Sequence, residues 1–215
     1  MSDHHYQIVA ETIRSRSTTK ILSRGTTPCG GEQEISANQI QEILATAGWA
    51  PFHHDRNLDG IAEPWRVHVF SKETCQTIGT NLSSWFTDLK PGIKIGSVLQ
   101  NCSAMILINW LPVGEAEIHD AEKRQAINLE HHAASSSFVQ NVLLLLTAAG
   151  HLNYWASGGP LASQLFFQRY SIPINEQQLA AVIVAPTPPT NHDWTLVSGK
   201  LREKRADVGK WARSV

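Results

Sequence analysis

The order of apolar patterns along this 215-residue chain predicts an α+β fold, and three observations carry the prediction. Trp65-Arg66-Val67-His68-Val69-Phe70 alternates in the manner of a half-covered strand. Two continuous apolar runs, AMILINW at 104–110 and LAAVIVA at 179–185, have the length of strands covered on both faces. Between them, from about Asp120 to Gly150, nothing breaks helicity, and Ile127, Ala134, Phe138, Val142, Leu145 and Ala149 recur at helical spacings. Helices and strands mix without a regular βαβ alternation, which favours α+β over a doubly wound sheet.

Taken in order, residues 6–16 read as a first helix with Ile8, Val9, Thr12 and Ile13 on one side and Arg14 and Arg16 near its end. A loop follows, and Gly25 to Gly31 break any period. Ser36 is a good N-cap for a helix carrying Ile40, Ile43, Leu44 and Ala47 that ends near Gly48. Residues 52–64 are polar and irregular, and 76–100 give a weak helical pattern. The second half of the long helix, Phe138 to Ala149, is apolar nearly all round, so it should be buried on several sides or in a subunit interface. Asn153 to Gly159 read as a loop rich in small residues, 161–170 as a short helix, and the prolines at 186, 188 and 189 as the end of the last strand. The polar tail from Asn191, basic between Lys200 and Lys210, should wrap over a surface.

Composition narrows the function classes. At 42% apolar and 17% charged residues, the chain can build a core, and its length fits one domain spanning 1–215. Eighteen basic against nineteen acidic side chains leave a net charge of −1, which gives no bulk attraction for nucleic acid or an anionic membrane. Cys29, Cys75 and Cys102 form no CxxC pair and read as structural. The first residues lack a basic and apolar leader pattern, so a soluble, cytoplasmic protein is expected.

The first chemical constellation is Arg16-Ser17-Thr18-Thr19-Lys20, two cations bracketing three hydroxyls just after a helix. A guanidinium that binds bidentately, an ammonium point charge and hydroxyl donors together suit a phosphate. Extended to Ile21 and Leu22, this segment resembles the N-terminal flavin-binding signature of the nitroreductase family. Four further segments agree in order and spacing. Ile40 to Pro51 resembles the helix ending in that family's Ala-Pro-Ser, and Pro64-Trp65 resembles its Gln-Pro-Trp strand entry. Phe138 to Gly150 resembles its long helix with Gln-Asn and a closing Ala-x-Gly, and Ile172-Pro173 with Leu179 to Ala185 its final sheet strand.

The resemblance implies a nitroreductase-like fold, with a mostly antiparallel sheet flanked by helices and the long helix in a homodimer interface. It implies FMN between subunits, with NAD(P)H delivering a hydride that an electron-poor acceptor such as a nitroaromatic or quinone then takes. Carried over, Arg16, Ser17, Thr18 and Lys20 would hold the phosphate, ribityl chain or pyrimidine side. Lys204 and Arg205 resemble the basic tail of the family, with Lys200 and Arg202 as a second register. Trp155, Ser157 and Gly158 correspond to the loop along the flavin rings. The implied chemistry needs no catalytic side chain.

The chain departs from the family pattern after Pro51, where an insertion of about five residues precedes Pro64, Phe52 replaces the serine and Glu63 the glutamine. Asn57 keeps the flavin contact in one register, and Arg56 takes it in the other. A member that binds FMN without turnover, or a flavin-consuming or dehalogenating specialist, has the same signature. His53-His54-Asp55 and Glu130-His131-His132 are the richest metal-ligand clusters. Adjacent histidines in regular structure diverge and no HExxH spacing is present, so no metal site is expected. With their loop over the flavin, as the resemblance implies, His53 and His54 would touch substrate or donate a proton to it.

Overall fold

The structure is a computed structural model that describes residues 3–23, 34–86, 95–186 and 194–213. The loop at Gly25 to Gly31, Cys29, the prolines at 188 and 189, the start of the tail at Asn191 and part of the weak helical stretch lie outside the described residues.

Strand β3 (Ala104–Trp110) is the axis of the fold, flanked by β2 (Trp65–Ser71) and β5 (Gln177–Val184), with β4 (Asn153–Ala156) on the far side of β5. All three pairings are antiparallel. Every residue of β3 but Trp110 is buried, as its unbroken apolar run requires. Ala104, Ile106 and Ile108 face one way, into a core with Ala180, Val182 and Val184 of β5. That face is covered by α2 (Ala37–Ala47) and the long α5 (Ala121–Ala148), through Ile40, Ile43, Phe138, Val142 and Leu146. Met105 and Leu107 face the other way, under α3 (Lys72–Trp85), α4 (Ile95–Gln100) and α6 (Gln164–Arg169). The α+β architecture and the mostly antiparallel sheet flanked by helices are thus as the sequence predicts.

Helix starts follow local chemistry. Ser36 closes a capping box on α2: its Oγ accepts from the Gln39 N–H at 3.2 Å while the Gln39 side chain accepts from the Ser36 N–H at 3.0 Å. Asp120 caps α5, accepting from the N–H groups of Glu122 and Lys123.

Three expectations change. The loop after α1 (Asp3–Ser15) contains β1 (Thr19–Ser23), and the tail contains β6 (Trp194–Ser198), which pairs with β1 antiparallel from Thr19↔Ser198 to Ser23↔Trp194. Each is only five residues long, too short for a clear apolar period, and β1 is held both by this pairing and by burial of Ile21, with Leu22 packed on the core. The segment 153–156 is a strand rather than a loop, since it completes the edge of the main sheet. The apolar side of α1, with Ile8, Val9 and Ile13, is exposed in the single chain.

His151, in the turn after α5, is buried with neither ring nitrogen partnered among the described residues. Burial pushes its imidazole below the ordinary histidine range. The unfolded chain therefore binds a proton that the folded chain resists. The stability this neutral ring allows is present above about pH 6.5 and is lost as pH falls through the lower folded value. His151→Leu should flatten this part of the acid limb, read as urea midpoints between about pH 7.5 and 5. An unchanged slope would assign that limb to other groups.

Candidate functional site

Helix α1 ends where β1 begins, and β6 leads into a 3-10 turn at Arg202–Lys204, so the ribbon brings the two basic segments of the chain together. Between them lies a cleft of about 590 Å³ whose lining includes Arg16, Ser17, Thr18, Lys200, Arg202 and Arg205, with Glu203 as its one acidic residue. The Gly199 N–H donates to the Thr18 carbonyl at 2.9 Å, fixing one wall against the other. The Ser17 and Thr19 hydroxyls lie 3.2 Å apart.

The cations in this cleft have different roles. The Arg202 guanidinium donates to the carbonyls of Arg14, Ser15 (3.4 Å) and Arg16 (3.2 Å). It thereby satisfies carbonyls that α1 leaves open at its C-terminus and meets the negative end of its dipole. Arg16 has no ionic partner among the described residues. Burial, then Arg205, then Arg202 push its guanidinium below the ordinary arginine value. Such crowding is relieved by an anion.

Lys20 lies outside this cleft, with its ammonium 4.4 Å from the centre of the Tyr154 ring. That contact and the Thr18↔Asn153 bridge set β1 beside β4. Strand β4 carries Trp155, which packs partly buried on the α5 side of the sheet, and it runs into exposed Ser157 and buried Gly158. Gly158 has φ +94, and a Cβ there would collide with the Gln178 amide. Both polar atoms of that amide are buried without a hydrogen-bond partner among the described residues. Burying both atoms without partners costs desolvation energy that only a further polar contact would recover.

Lys204 does not line the cleft, whereas Lys200, Arg202 and Arg205 do. Asn57 is exposed at φ +41, just before the turn closed by Leu58 and Ile61, and does not line it either. The alternative in which Arg56 takes the Asn57 contact is overturned. The Arg56 guanidinium is buried and bidentate to Glu117, at 2.7 and 2.9 Å, with a further bond to the Pro112 carbonyl. It is a structural clamp. Sequence reasoning missed Gln178, for which no local signal exists, and Arg202 as a helix cap, which only the pairing of β1 with β6 creates.

No protein-family model matches the chain. Among curated proteins it is similar to "Putative NAD(P)H nitroreductase YfhC" of Bacillus subtilis, 25% identical over 180 residues, which cover 84% of each chain. Among solved structures it is similar to the nitroreductase CinD from Lactococcus lactis in complex with chloramphenicol, with a TM-score of 0.65, 10% identity and coverage of 96% of this chain and 98% of that one. A nitroreductase with bound FMN from Desulfitobacterium hafniense gives a TM-score of 0.59, 13% identity and coverage of 97% and 98%. The chain has the nitroreductase-like fold.

Gly158→Ala should distort the loop after β4, because a side chain at that φ costs about 1–3 kcal/mol and must also displace Gln178. The check is a lowered urea midpoint, and an unchanged one would mean that the turn is not held as described.

Proposed function

We propose that this chain, a single nitroreductase-like domain with that fold, is a cytoplasmic FMN-dependent oxidoreductase working as a homodimer. In this reading it moves a hydride from NAD(P)H to a small electron-poor acceptor, a nitroaromatic, quinone or similar compound. The observation that carries the proposal is the cation-crowded Arg16 cleft set at the Asn153 end of β4, the strand that runs on into the Gly158 turn. The likeness to a nitroreductase with bound FMN supports it.

The donor set fits the cofactor. Arg16 would bind the phosphate bidentately, Ser17 and Thr18 would donate hydroxyl hydrogen bonds, and Lys200 and Arg205 would add positive charge. Arg202 would hold the end of α1 in register while lending its charge. Lys20, seated on Tyr154, would meet the ribityl or pyrimidine side, and Trp155, Ser157 and Gly158 would flank the ring system. The Gln178 amide would find a partner in the polar edge of the flavin. Bound FMN would supply the redox chemistry, taking a hydride from NAD(P)H and passing it to the acceptor.

The first experiment is the visible absorption spectrum of the purified protein before and after incubation with FMN and dialysis. Retained flavin bands with NAD(P)H oxidation in the presence of a nitroaromatic or quinone are expected, and a protein unable to retain FMN would overturn the proposal. A second reading, FMN binding without turnover, is favoured by the 52–63 segment: Phe52 packs edge-on to Trp65 and Arg56 is locked to Glu117, so neither is free for substrate. Retained FMN with no NAD(P)H oxidation would support that reading. Arg16→Ala should weaken FMN binding by about 10- to 100-fold, as expected for losing about 1.5–3 kcal/mol of charge-assisted bonding, with little change in folding. Fluorescence titration with FMN checks this, and wild-type affinity would show that the phosphate lies elsewhere.

A further inference from the structure

The two histidine-rich clusters of the sequence, 77 residues apart from His53 to Glu130, meet in the fold. One ligand atom from each of His53, His54 and Glu130 lies within 4.8 Å of the others. His54 Nε2 stands 3.4 Å from Glu130 Oε2, and the two imidazole rings are 5.0 Å apart at an interplanar angle of 74°. In a strand, neighbouring side chains would diverge. Here a bend at 53–54 turns both rings to the same side, above α5.

We infer that His53, His54 and Glu130 form a site for a borderline divalent transition metal of the zinc class, with one coordination position left open to solvent. Two imidazoles and a carboxylate are a zinc donor set, and three protein ligands with a fourth position free is the pattern of reactive rather than purely structural zinc. At metal–ligand bonds of about 2.0–2.2 Å, the edge of a tetrahedron is roughly 3.3–3.6 Å, and the His54 to Glu130 separation already has that length.

The loop is held in place on both sides of the histidine pair. Before it, Phe52 packs on Trp65 at 5.7 Å, and Trp65 stacks on Phe138 of α5 at 5.0 Å. After it, Arg56 is bidentate to Glu117, and its N–H donates to the Ala62 carbonyl at 2.8 Å. Ordering two ligands in advance removes much of the conformational cost of binding. Arg56, two residues after His54, is paired with Glu117 rather than with Glu130. His131, next to Glu130 on α5, is buried and lies outside the ligand group.

The test uses the full chain, stripped with chelator and titrated with zinc chloride by calorimetry. Cobalt(II) serves as an optical probe, because tetrahedral coordination gives intense visible bands. One zinc per chain is expected, with affinity lowered at least about tenfold in both His54→Ala and Glu130→Gln. Both positions are partly exposed, so the variants should fold, and unchanged circular dichroism checks this. The doublet His4-His5 at the start of α1 is the competing site, so His4→Ala/His5→Ala should leave the affinity unchanged. Absence of zinc binding would overturn the inference. So would binding that survives His54→Ala and Glu130→Gln or is lost with His4 and His5. None of these readouts depends on flavin.

Discussion

The burial of β3 on both faces is the constraint from which the rest of the molecule follows. A seven-residue strand without a polar face, except for Asn109 near its end, cannot meet water on either side. It must also pair along both edges to satisfy its backbone. Strands β2 and β5 supply the edges, α2 and α5 cover one side, and α3, α4 and α6 cover the other. The register is equally determined, because a shift by one residue would exchange the Ile106 and Leu107 sides of the strand. Polarity is pushed to the sheet ends. Near the end of β3, Asn109 shares the Glu176 carboxylate with His68, which reaches it from the middle of β2, each at 2.7 Å, and the pairing of β3 with β5 slips by one residue.

The chemistry accordingly collects at the periphery, where backbone and charge are not consumed by packing. The ribbon β1–β6 attaches beside the edge strand β4, and that attachment sets the cation-lined cleft at the Asn153 end of β4. Three arginines illustrate how partners decide role. Arg56 is spent on a carboxylate and holds a loop, and Arg202 is spent on helix carbonyls and holds a terminus. Arg16, crowded by other cations, is the one of these three left with charge to offer.

Much of the architecture was legible from the chain. The strands at 65–71, 104–110 and 177–184 and the helices at 37–47 and 121–148 declare themselves by period, length and caps, because burial on one or two faces writes itself directly into residue order. Ser36 marked its helix start because capping is a contact between near neighbours. The basic hydroxyl segment at 16–20 was also visible, and Arg16, Ser17 and Thr18 do share a cleft.

What the sequence could not determine depends on pairs far apart in the chain. Strands β1 and β6 are short and lie far apart in the chain, so the choice among Lys200, Arg202, Lys204 and Arg205 around the cleft awaited their register. The partnership of Arg56 with Glu117, the Gln178 amide beneath Gly158 and the meeting of His53 and His54 with Glu130 are likewise tertiary decisions. The physical reason is the same in each case. Periodicity encodes which face of an element avoids water, whereas the partner of a polar side chain is chosen by whichever distant segment the packed core delivers to it.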